Sequence, residues 1–537
     1  MRFSWYNKYM KARIAKDKSS AEMVSISREE YEAVKAQNAE LTQQVQWLME
    51  QMRLAKKKIF GVSGEQTSKE LAEQLCFLFN EPETHVDLTE QDPEPALEDV
   101  VAHTRKKRPK DLKEHLPEDV PVVVVEHGLP ESERICAACG TVMQQIGKEV
   151  RRTLILVPAQ ASIREDVYYT YACANCQKTA TETPILKAPK DKPVISGSFA
   201  SPEAVAHVMT QKYVMASPLY RQANEYRRAG ILLTRQTMSN WLLKATELWL
   251  KPIYQALHSE LTARQVLHAD ETPLQVLHEP GKPATSKSYM WLYRTSGDTD
   301  KPIVLYEYQP TRAAEHPQKF LKGFTGYLHT DGYQVYGLLS PEITVVGCLA
   351  HCRRKFDAAV KALGKTEQGS SPALKGLWYC NQLFDLEKEL ADCTPEERYK
   401  QRQERAKPIL DAFLLWAKAV PAMPKSSLGQ AVNYLLNQWP HVIHYLEDGH
   451  LELSNNRAER SIKPFVIGRK NFLFSNTPSG AQGSATMYSM VETAKENGLD
   501  PYRYLTYVFK TAPNLDWEQA DAVRQLLPWN APGECHL

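Results

Sequence analysis

Two apolar runs that end in acidic motifs constrain the fold of this chain more than any other feature. Gln265–His268 leads into Asp270 in the motif LHADETP, and Gly326–His329 leads into Asp331 in the motif LHTDGY. Short apolar runs of this kind are typical of β-strands, so we expect each aspartate at the end of a strand. The sequence therefore predicts two carboxylates that are presented by strand ends.

The segments around these acids predict the rest of a sheet. Two further strand-like runs follow Asp270, at 288–294 and 302–308, and a helix is expected near 313–320. After Asp331, the run Ile343–Cys348 has the composition of a last strand. This order predicts a mixed α/β sheet in which the two acids lie on neighbouring central strands.

A third acidic residue, Glu459, lies in the motif SNNRAERSIKP. The cap-like sequence Ser454-Asn455-Asn456 precedes it, which predicts that Glu459 is near the start of a helix. About 90 mostly helical residues, 361–450, separate it from the sheet, so the chain must return to bring the three acids together. Carboxylates of this kind hold pairs of Mg²⁺ or Mn²⁺ ions about 3.5 to 4 Å apart in two-metal enzymes that act on DNA. The alternative for any single acid is a turn residue or a helix cap.

Some neighbouring side chains are weaker candidates for metal ligands. Glu271 directly follows Asp270, and in a strand its side chain points to the opposite face. Cys348, His351 and Cys352 resemble a zinc site, but three ligands packed so closely need a fourth from elsewhere. We therefore expect no metal at these three residues.

Basic residues near the acids are expected to bind DNA phosphates. The candidates that follow the last strand or surround the third acid are His351, Arg353, Arg354, Arg457, Arg460, Lys463, Arg469 and Lys470. The alternative is a solvated basic surface with no ligand.

Four cysteines form two CxxC pairs, which predict a zinc module over residues 121–187. The interval between the pairs contains β-rich sequence that is able to form a hairpin. Four thiolates in this arrangement suit tetrahedral Zn²⁺, and a closed site of this kind is structural rather than catalytic. Whether the module also contacts DNA stays open. The four cysteines are Cys136, Cys139, Cys173 and Cys176.

Residues 25–61 carry a heptad pattern of apolar residues that predicts a coiled-coil helix and a homo-oligomer. Ser27 and Glu30 have the spacing of a capping box. The alternative is an amphipathic helix packed on its own chain. Residues 1–24 stay unassigned, and 62–120 read as a helix and a linker in which an acidic stretch is followed by a basic one.

Residues 195–258 are predicted to be helical and to resemble a helix-turn-helix. Thr234 is placed to cap a helix whose apolar face consists of Met238, Trp241, Leu242 and Ala245. The opposite face carries Arg235, Gln236 and Asn240, whose side chains suit phosphates and base edges. An ordinary helical hairpin explains the same pattern equally well.

Composition limits the remaining possibilities. The net charge of +2 gives no overall basic signature, so any DNA contact must come from local clusters. The start of the chain lacks the apolar core of a signal peptide, and no run reaches the length of a membrane span. We expect a cytoplasmic protein without a disulfide framework.

The motifs together resemble those of bacterial insertion-sequence transposases of the DDE type, in the IS66-type (TnpC-like) group. HADETPLQVL, LHTDGYQVY and NNRAERSIKPFVIGRKNFLFS carry the resemblance, together with the CxxC pairs, KYVMASPLYRQ and YSMVETAKENGLDPYRYL. It implies that Asp270, Asp331 and Glu459 are the catalytic triad. It also implies a ribonuclease-H-like core over 259–480, with a helical insertion at about 361–450 and a C-terminal helical segment over 481–537.

The resemblance also implies an activity and its partners. Such an enzyme cuts the 3′ ends of its element by metal-dependent hydrolysis and joins them to target DNA by strand transfer. Its partners would be the terminal inverted repeats, the target DNA and possible accessory proteins of the same element. Two alternatives stay open: a ribonuclease-H-like nuclease or resolvase without strand transfer, and an inactive DNA-binding regulator that contains zinc.

Overall fold

The structure is a computed structural model. It describes residues 27–38, 41, 44, 164, 166, 170–172, 185–187, 190–363, 371–519 and 521–537. The chain divides into two compact units, residues 72–190 and residues 1–71 with 191–537. The four CxxC cysteines, most of the predicted coiled coil and the predicted linker lie outside the described residues.

The described part of the N-terminal region is a helix, α1, at residues 28–38. The predicted capping box is confirmed, since Ser27 N–H donates to Glu30 Oε2 at 3.0 Å and Glu30 N–H donates to Ser27 Oγ at 3.1 Å. Tyr31 and Val34, two of the predicted heptad residues, are about half exposed. In the smaller unit, β1 (Thr170–Ala172) pairs antiparallel with β2 (Ile185–Lys187).

Four α-helices lie between residue 202 and the main sheet. They are α2 (Pro202–Tyr213), α3 (Leu219–Arg228) and α4 (Arg235–Ala245), and a π-helical turn joins α4 to α5 (Lys251–Thr262). The side chain of Thr234 caps α4, and the four residues predicted to share an apolar face are buried. Six residues separate α3 from α4, which is longer than the three or four of a compact helix-turn-helix.

The main sheet has five strands in the order β5-β4-β3-β6-β7. Strands β3, β4 and β5 form an antiparallel meander, and β6 and β7 then add parallel to β3. Helix α6 (Glu315–Phe320) connects β5 to β6. The predicted mixed sheet is confirmed. The strands are β3 (Val266–Gln275), β4 (Lys287–Thr295), β5 (Val304–Gln309), β6 (Gly326–His329) and β7 (Ile343–Val346).

The described residues between the sheet and Glu459 are mostly helical, and they pack around an apolar core that also includes Val266 and Val346 of the sheet. Aromatic rings of Phe356, Tyr379, Phe413 and Trp416 pack at the centre of that core. The helices are α7 (Leu349–Ala362), α8 (Pro372–Glu389), α9 (Pro395–Gln401), α10 (Lys407–Ala419) and α11 (Ser427–Val442).

Three more helices follow, of which the first two pack on the sheet: α12 (Asn456–Phe472), α13 (Pro478–Glu496) and α14 (Pro501–Thr511). Helix α13 covers the edge strand β5. Ser489 Oγ accepts from Tyr306 N–H at 2.8 Å, and Thr493 Oγ accepts from Val304 N–H at 3.0 Å. These hydroxyls satisfy backbone donors that an edge strand would otherwise leave open. None of the helices that the structure describes is long and apolar enough to span a bilayer.

Candidate active site

The register of β3 and β6 brings Asp270 and Asp331 near each other, with Asp270 on β3 and Asp331 just beyond the end of β6. His268 pairs with His329 across the two parallel strands, and each aspartate follows its histidine by two residues. Because side chains alternate along a strand, Asp270 lies on the same face as His268. One expectation was wrong: Asp270 is inside β3 rather than at its end, since β3 continues to Gln275 by pairing with β4.

Asp331 lies just beyond the end of β6, in a turn that the helical segment holds in place. Its Oδ1 accepts from Tyr333 N–H at 3.0 Å, and its backbone carbonyl accepts from the hydroxyl of Tyr434 on α11 at 2.8 Å. Gly332 has a φ of +88°, a conformation that favours glycine. A Cβ at this position would also lie 2.5 Å from Oε1 of Gln438.

The chain returns to the sheet through residues 451–455, immediately before α12. Leu349 N–H donates to Leu453 O at 3.1 Å, which ties this segment to the start of α7. Glu452 N–H donates to Nε2 of His329 at 3.2 Å. These contacts place the start of α12, which carries Glu459, beside the strands that carry the two aspartates.

The three acids share one electrostatic environment. Burial raises the pKa of Asp270 well above its ordinary value, and the negative charges of Glu271, Asp331 and Glu459 raise it further. Asp270 Oδ1 accepts from the backbone N–H of Glu271 at 2.8 Å. Buried carboxylates that lie close together raise one another's pKa because their negative charges repel. A bound cation relieves this repulsion, so such a site favours cation binding.

Glu459 has a cationic partner in this structure. Arg354 Nη2 lies 2.5 Å from Glu459 Oε1, and His351 Nδ1 lies 3.7 Å from the same oxygen. Among the described residues, the one group of three potential ligands with donor atoms within 4.8 Å of one another is Cys348, His351 and Glu459, rather than the three acids. Burial raises the pKa of the Cys348 thiol to about 12, so metal binding there would require the loss of a tightly held proton.

Glu271 has hydrogen-bonding and ionic partners of its own. Its carboxylate forms an ion pair with Arg312, and Tyr336 donates its hydroxyl to Oε2 at 2.7 Å. Burial raises the pKa of Glu271 to about 7, and the charge of Asp331 adds to this effect, whereas Arg312 opposes it. Glu271 therefore has partners that Asp270 lacks, and its charge also acts on Asp270. That its side chain points away from Asp270 stays a prediction.

Some of the basic residues predicted to bind phosphate are exposed, and others are bonded to side chains of the same chain. Arg460 and Lys470 are exposed on α12, and Lys463 between them is partly exposed. Arg457 donates to Glu452 at 2.6 Å, and Arg353 donates to Asn381 at 2.7 Å.

Arg469 is placed differently from the other basic residues. It is 9% exposed, and its Nη1 donates to Thr272 Oγ1 at 3.2 Å. Burial lowers its pKa to about 10. In this structure Arg469 therefore ties α12 to β3 rather than facing solvent.

The three polar residues predicted on the DNA-facing side of α4 are exposed. Arg235 lies over the ring of Tyr220 at 5.6 Å, and Gln236 donates to Asn240 Oδ1 at 2.9 Å. They lie on a surface that a groove or a phosphate backbone can reach.

Three buried polar residues at the site were missed by the sequence analysis: His268, His329 and Asn455. All three are fully buried, and they lie between β3, β6 and α12. A signal was present in the sequence, since both aspartate motifs read LH-x-D and Asn455 precedes Glu459 by one helical turn.

Comparison with known proteins identifies regions that cover most of the chain. The family model described as "Transposase IS66 family" matches residues 197–483, and "IS66 C-terminal element" matches 489–529. "Zinc-finger binding domain of transposase IS66" matches 133–177, which includes all four CxxC cysteines. "Transposase C of IS166 homeodomain" matches 47–125, where the sequence analysis predicted the end of a coiled coil and a linker.

Relatives from Sinorhizobium fredii (strain NBRC 101917 / NGR234) are similar over most of their length. Uncharacterized protein y4jD is 31% identical over 434 residues, which cover 78% of this chain and 81% of the relative. Uncharacterized protein y4hP is 28% identical over 445 residues, which cover 79% and 77%. Uncharacterized protein y4qI is 28% identical over 475 residues, which cover 85% and 84%.

These matches agree with a multidomain chain that has a zinc-finger region and helical N-terminal regions before an α/β core with a mixed sheet. They support a transposase role with DNA as the partner, and the zinc-finger match supports a structural zinc. The family model covers more than half of the chain, and the chain belongs to the IS66 transposase family.

Proposed function

We propose that this chain is a DDE transposase whose catalytic residues are Asp270, Asp331 and Glu459. The enzyme binds the ends of its insertion sequence, cuts the 3′ ends by hydrolysis and joins them to target DNA. The observation that carries the proposal is the convergence of the three acids. Asp270 lies on β3 and Asp331 follows the neighbouring strand β6, and both Asp331 and Glu459 act on the pKa of Asp270.

The order of the strands supports a ribonuclease-H-like core. An antiparallel meander is followed by two parallel strands on the other side of β3. Asp270 then lies on the central strand β3, Asp331 follows the adjacent strand β6, and Glu459 lies on a helix packed against β3. Fold alone does not define activity, so the acids carry the argument.

The donor set fits divalent cations such as Mg²⁺ or Mn²⁺. Three carboxylates supply hard oxygen ligands, and the raised pKa of Asp270 indicates a local excess of negative charge. One oxygen each of Asp270 and Asp331 already accepts a backbone hydrogen bond, which fixes the orientation of the carboxylate. Bound cations of this type activate water and stabilise the leaving oxygen in phosphoryl transfer.

Glu459 must exchange partners to join such a site. In this structure Arg354 neutralises it at 2.5 Å. A DNA phosphate is an alternative partner for the Arg354 guanidinium, which would release the glutamate toward the two aspartates. The exposed side chains of Arg460 and Lys470 lie on the same helix and are assigned to the flanking phosphates.

Other parts of the chain are assigned supporting roles. Cys136, Cys139, Cys173 and Cys176 are proposed to hold a structural Zn²⁺, and the exposed face of α4 is proposed to contact DNA. Because both ends of an element must be cut together, the N-terminal helix is proposed to bring copies of the chain together.

The test is a strand-transfer assay with purified protein, labelled element ends, target plasmid and Mg²⁺. Asp270→Asn, Asp331→Asn and Glu459→Gln should each lower 3′ cleavage by at least about 1000-fold, since several kcal/mol of transition-state stabilisation is lost. Binding to the same DNA should persist. Asp411→Asn and Glu404→Gln, two exposed positions in the helical segment, are matched controls that should leave the rate unchanged.

A precut end substrate separates hydrolysis from joining. The wild-type protein should insert that end into target DNA. Cleavage without joining would contradict transposition and would indicate a nuclease, whereas unchanged activity in the three variants would remove the triad from the mechanism.

A further inference from the structure

We propose that His268, His329 and Asn455 form a positioning clasp that fixes Glu459 relative to Asp270 and Asp331. The inference rests on the proposed function, because it concerns the geometry of the same three acids. None of the three clasp residues is assigned to contact DNA or metal. Their role is to hold the strands and the helix that carry the acids in one arrangement.

Asn455 is the centre of the clasp. It occupies the N-cap position of α12, where an asparagine side chain usually accepts from the first turn of the helix. Here it makes no such bond. Its Nδ2 instead donates to Ala269 O at 2.8 Å, its Oδ1 lies 3.0 Å from His268 Nδ1, and its backbone N–H donates to Cys348 Sγ at 3.1 Å. A residue placed to cap its own helix therefore binds β3 and the segment after β7.

The two histidines complete the connection between strands. Their rings are stacked with centroids 4.3 Å apart and planes 13° from parallel, and both side chains are fully buried. His329 Nε2 accepts from Glu452 N–H at 3.2 Å, so its proton must be on Nδ1. Since Asn455 presents an oxygen to His268, the proton of His268 is on its Nδ1. Each ring thus uses a different nitrogen to hold the segment before α12.

Each clasp residue is close in sequence to one of the proposed catalytic side chains. Each histidine precedes its aspartate by two residues in the sequence, and Asn455 precedes Glu459 by four residues, which is about one helical turn. Apolar side chains would fill this buried space without the cost of burying polar groups. A connected polar network in such a place fixes one relative arrangement of the elements it joins.

The different nitrogens used by the two histidines provide a test with built-in controls. The amide of asparagine places a donor near the position of Nδ1, and the longer glutamine places its polar group near Nε2. We therefore expect His268→Asn to retain function better than His268→Gln. We expect the reverse order at the second site, where His329→Gln should retain function better than His329→Asn.

Two measurements distinguish positioning from general stability. The first is the binding of Mn²⁺ to the full-length protein, followed by electron paramagnetic resonance, and the second is single-turnover 3′ cleavage. His268→Gln, His329→Asn and Asn455→Ala should weaken Mn²⁺ binding and slow cleavage by about 10- to 100-fold, which is typical when groups that orient metal ligands are lost. Affinity for the element end should stay unchanged.

Melting temperature provides the control for folding. The clasp would be overturned if the Asn and Gln variants of each histidine bound Mn²⁺ with equal affinity. It would also be overturned if the loss of activity in the variants simply followed the loss of melting temperature. If the wild-type protein neither binds Mn²⁺ at the acids nor cleaves DNA, the proposed function itself fails. If the wild-type protein does both and the clasp variants match it, only the positioning inference fails.

Discussion

Glu307 on β5 is a partly buried glutamate whose replacement should change the pH dependence of stability. Burial raises its pKa to about 7, against an ordinary value of 4.5, and its Oε2 is buried without a hydrogen-bond partner. In the unfolded chain the same group ionises near pH 4.5. Between these two values the folded protein holds a proton that the unfolded chain has lost, so stability decreases as the pH rises through this window.

The magnitude follows from the two pKa values. A gap of about 2.5 pH units corresponds to about 3 kcal/mol when the carboxylate is fully ionised in both states. Part of that cost is already present at pH 5. Between pH 5 and pH 8, the ionisation of Glu307 should therefore reduce the free energy of unfolding by about 2.5 kcal/mol.

Glu307→Gln removes this contribution. The contribution is measured by urea unfolding of the wild-type protein and the variant at pH 5 and at pH 8. Between these two pH values, the free energy of unfolding of the variant should rise relative to that of the wild-type protein by about 2.5 kcal/mol. Glu404→Gln, an exposed glutamate in the helical segment, is the matched control and should show no such shift. A pH-independent difference for Glu307→Gln would refute the argument that this carboxylate is held in its protonated form by burial.

Three further perturbations test other parts of the structure. Arg354→Met leaves Glu459 without its guanidinium partner, so the free energy of unfolding should fall by about 1 to 3 kcal/mol. Added Mn²⁺ should restore more of this stability in Arg354→Met than in the double variant Arg354→Met with Glu459→Gln. Equal recovery in the two variants would contradict the exchange of partners. Arg402 is buried, pairs with Glu387 and donates to the backbone carbonyls of Tyr445, Asp448 and Leu451. Arg402→Met should therefore lower the free energy of unfolding, measured in urea, by about 3 to 5 kcal/mol. A loss below about 1 kcal/mol would show that these bonds do not hold the returning chain. Elemental analysis should find one zinc per wild-type chain and none in Cys173→Ser, and retention of zinc by that variant would contradict the four-cysteine assignment.

Local sequence patterns predicted the elements of the sheet region well. The meander, the helix before β6 and the final strand all follow from apolar runs of strand length and the turns between them. The same holds for α4, where Thr234 caps the helix and Met238 and Trp241 are buried as predicted. Each of these features depends on residues that are close to one another in the sequence.

Contacts between distant segments were less predictable. The continuation of β3 beyond Asp270 depends on its pairing with β4, which no pattern inside LHADETP reveals. Arg354 and Glu459 are 105 residues apart, and nothing local to either predicts their ion pair. Asn455 has the sequence context of a helix cap, but its side chain is used for contacts with β3. Tertiary partners decide such cases, and they override local preference.

The proposed mechanism requires that Asp270, Asp331 and Glu459 share bound cations. Diffraction at the manganese absorption edge, from crystals of the protein with an element end and Mn²⁺, measures this most directly. We expect anomalous peaks within coordination distance of all three carboxylates, with Arg354 moved from Glu459 to a phosphate. A peak bound by the two aspartates alone, with Glu459 still paired to Arg354 in the DNA complex, would contradict it.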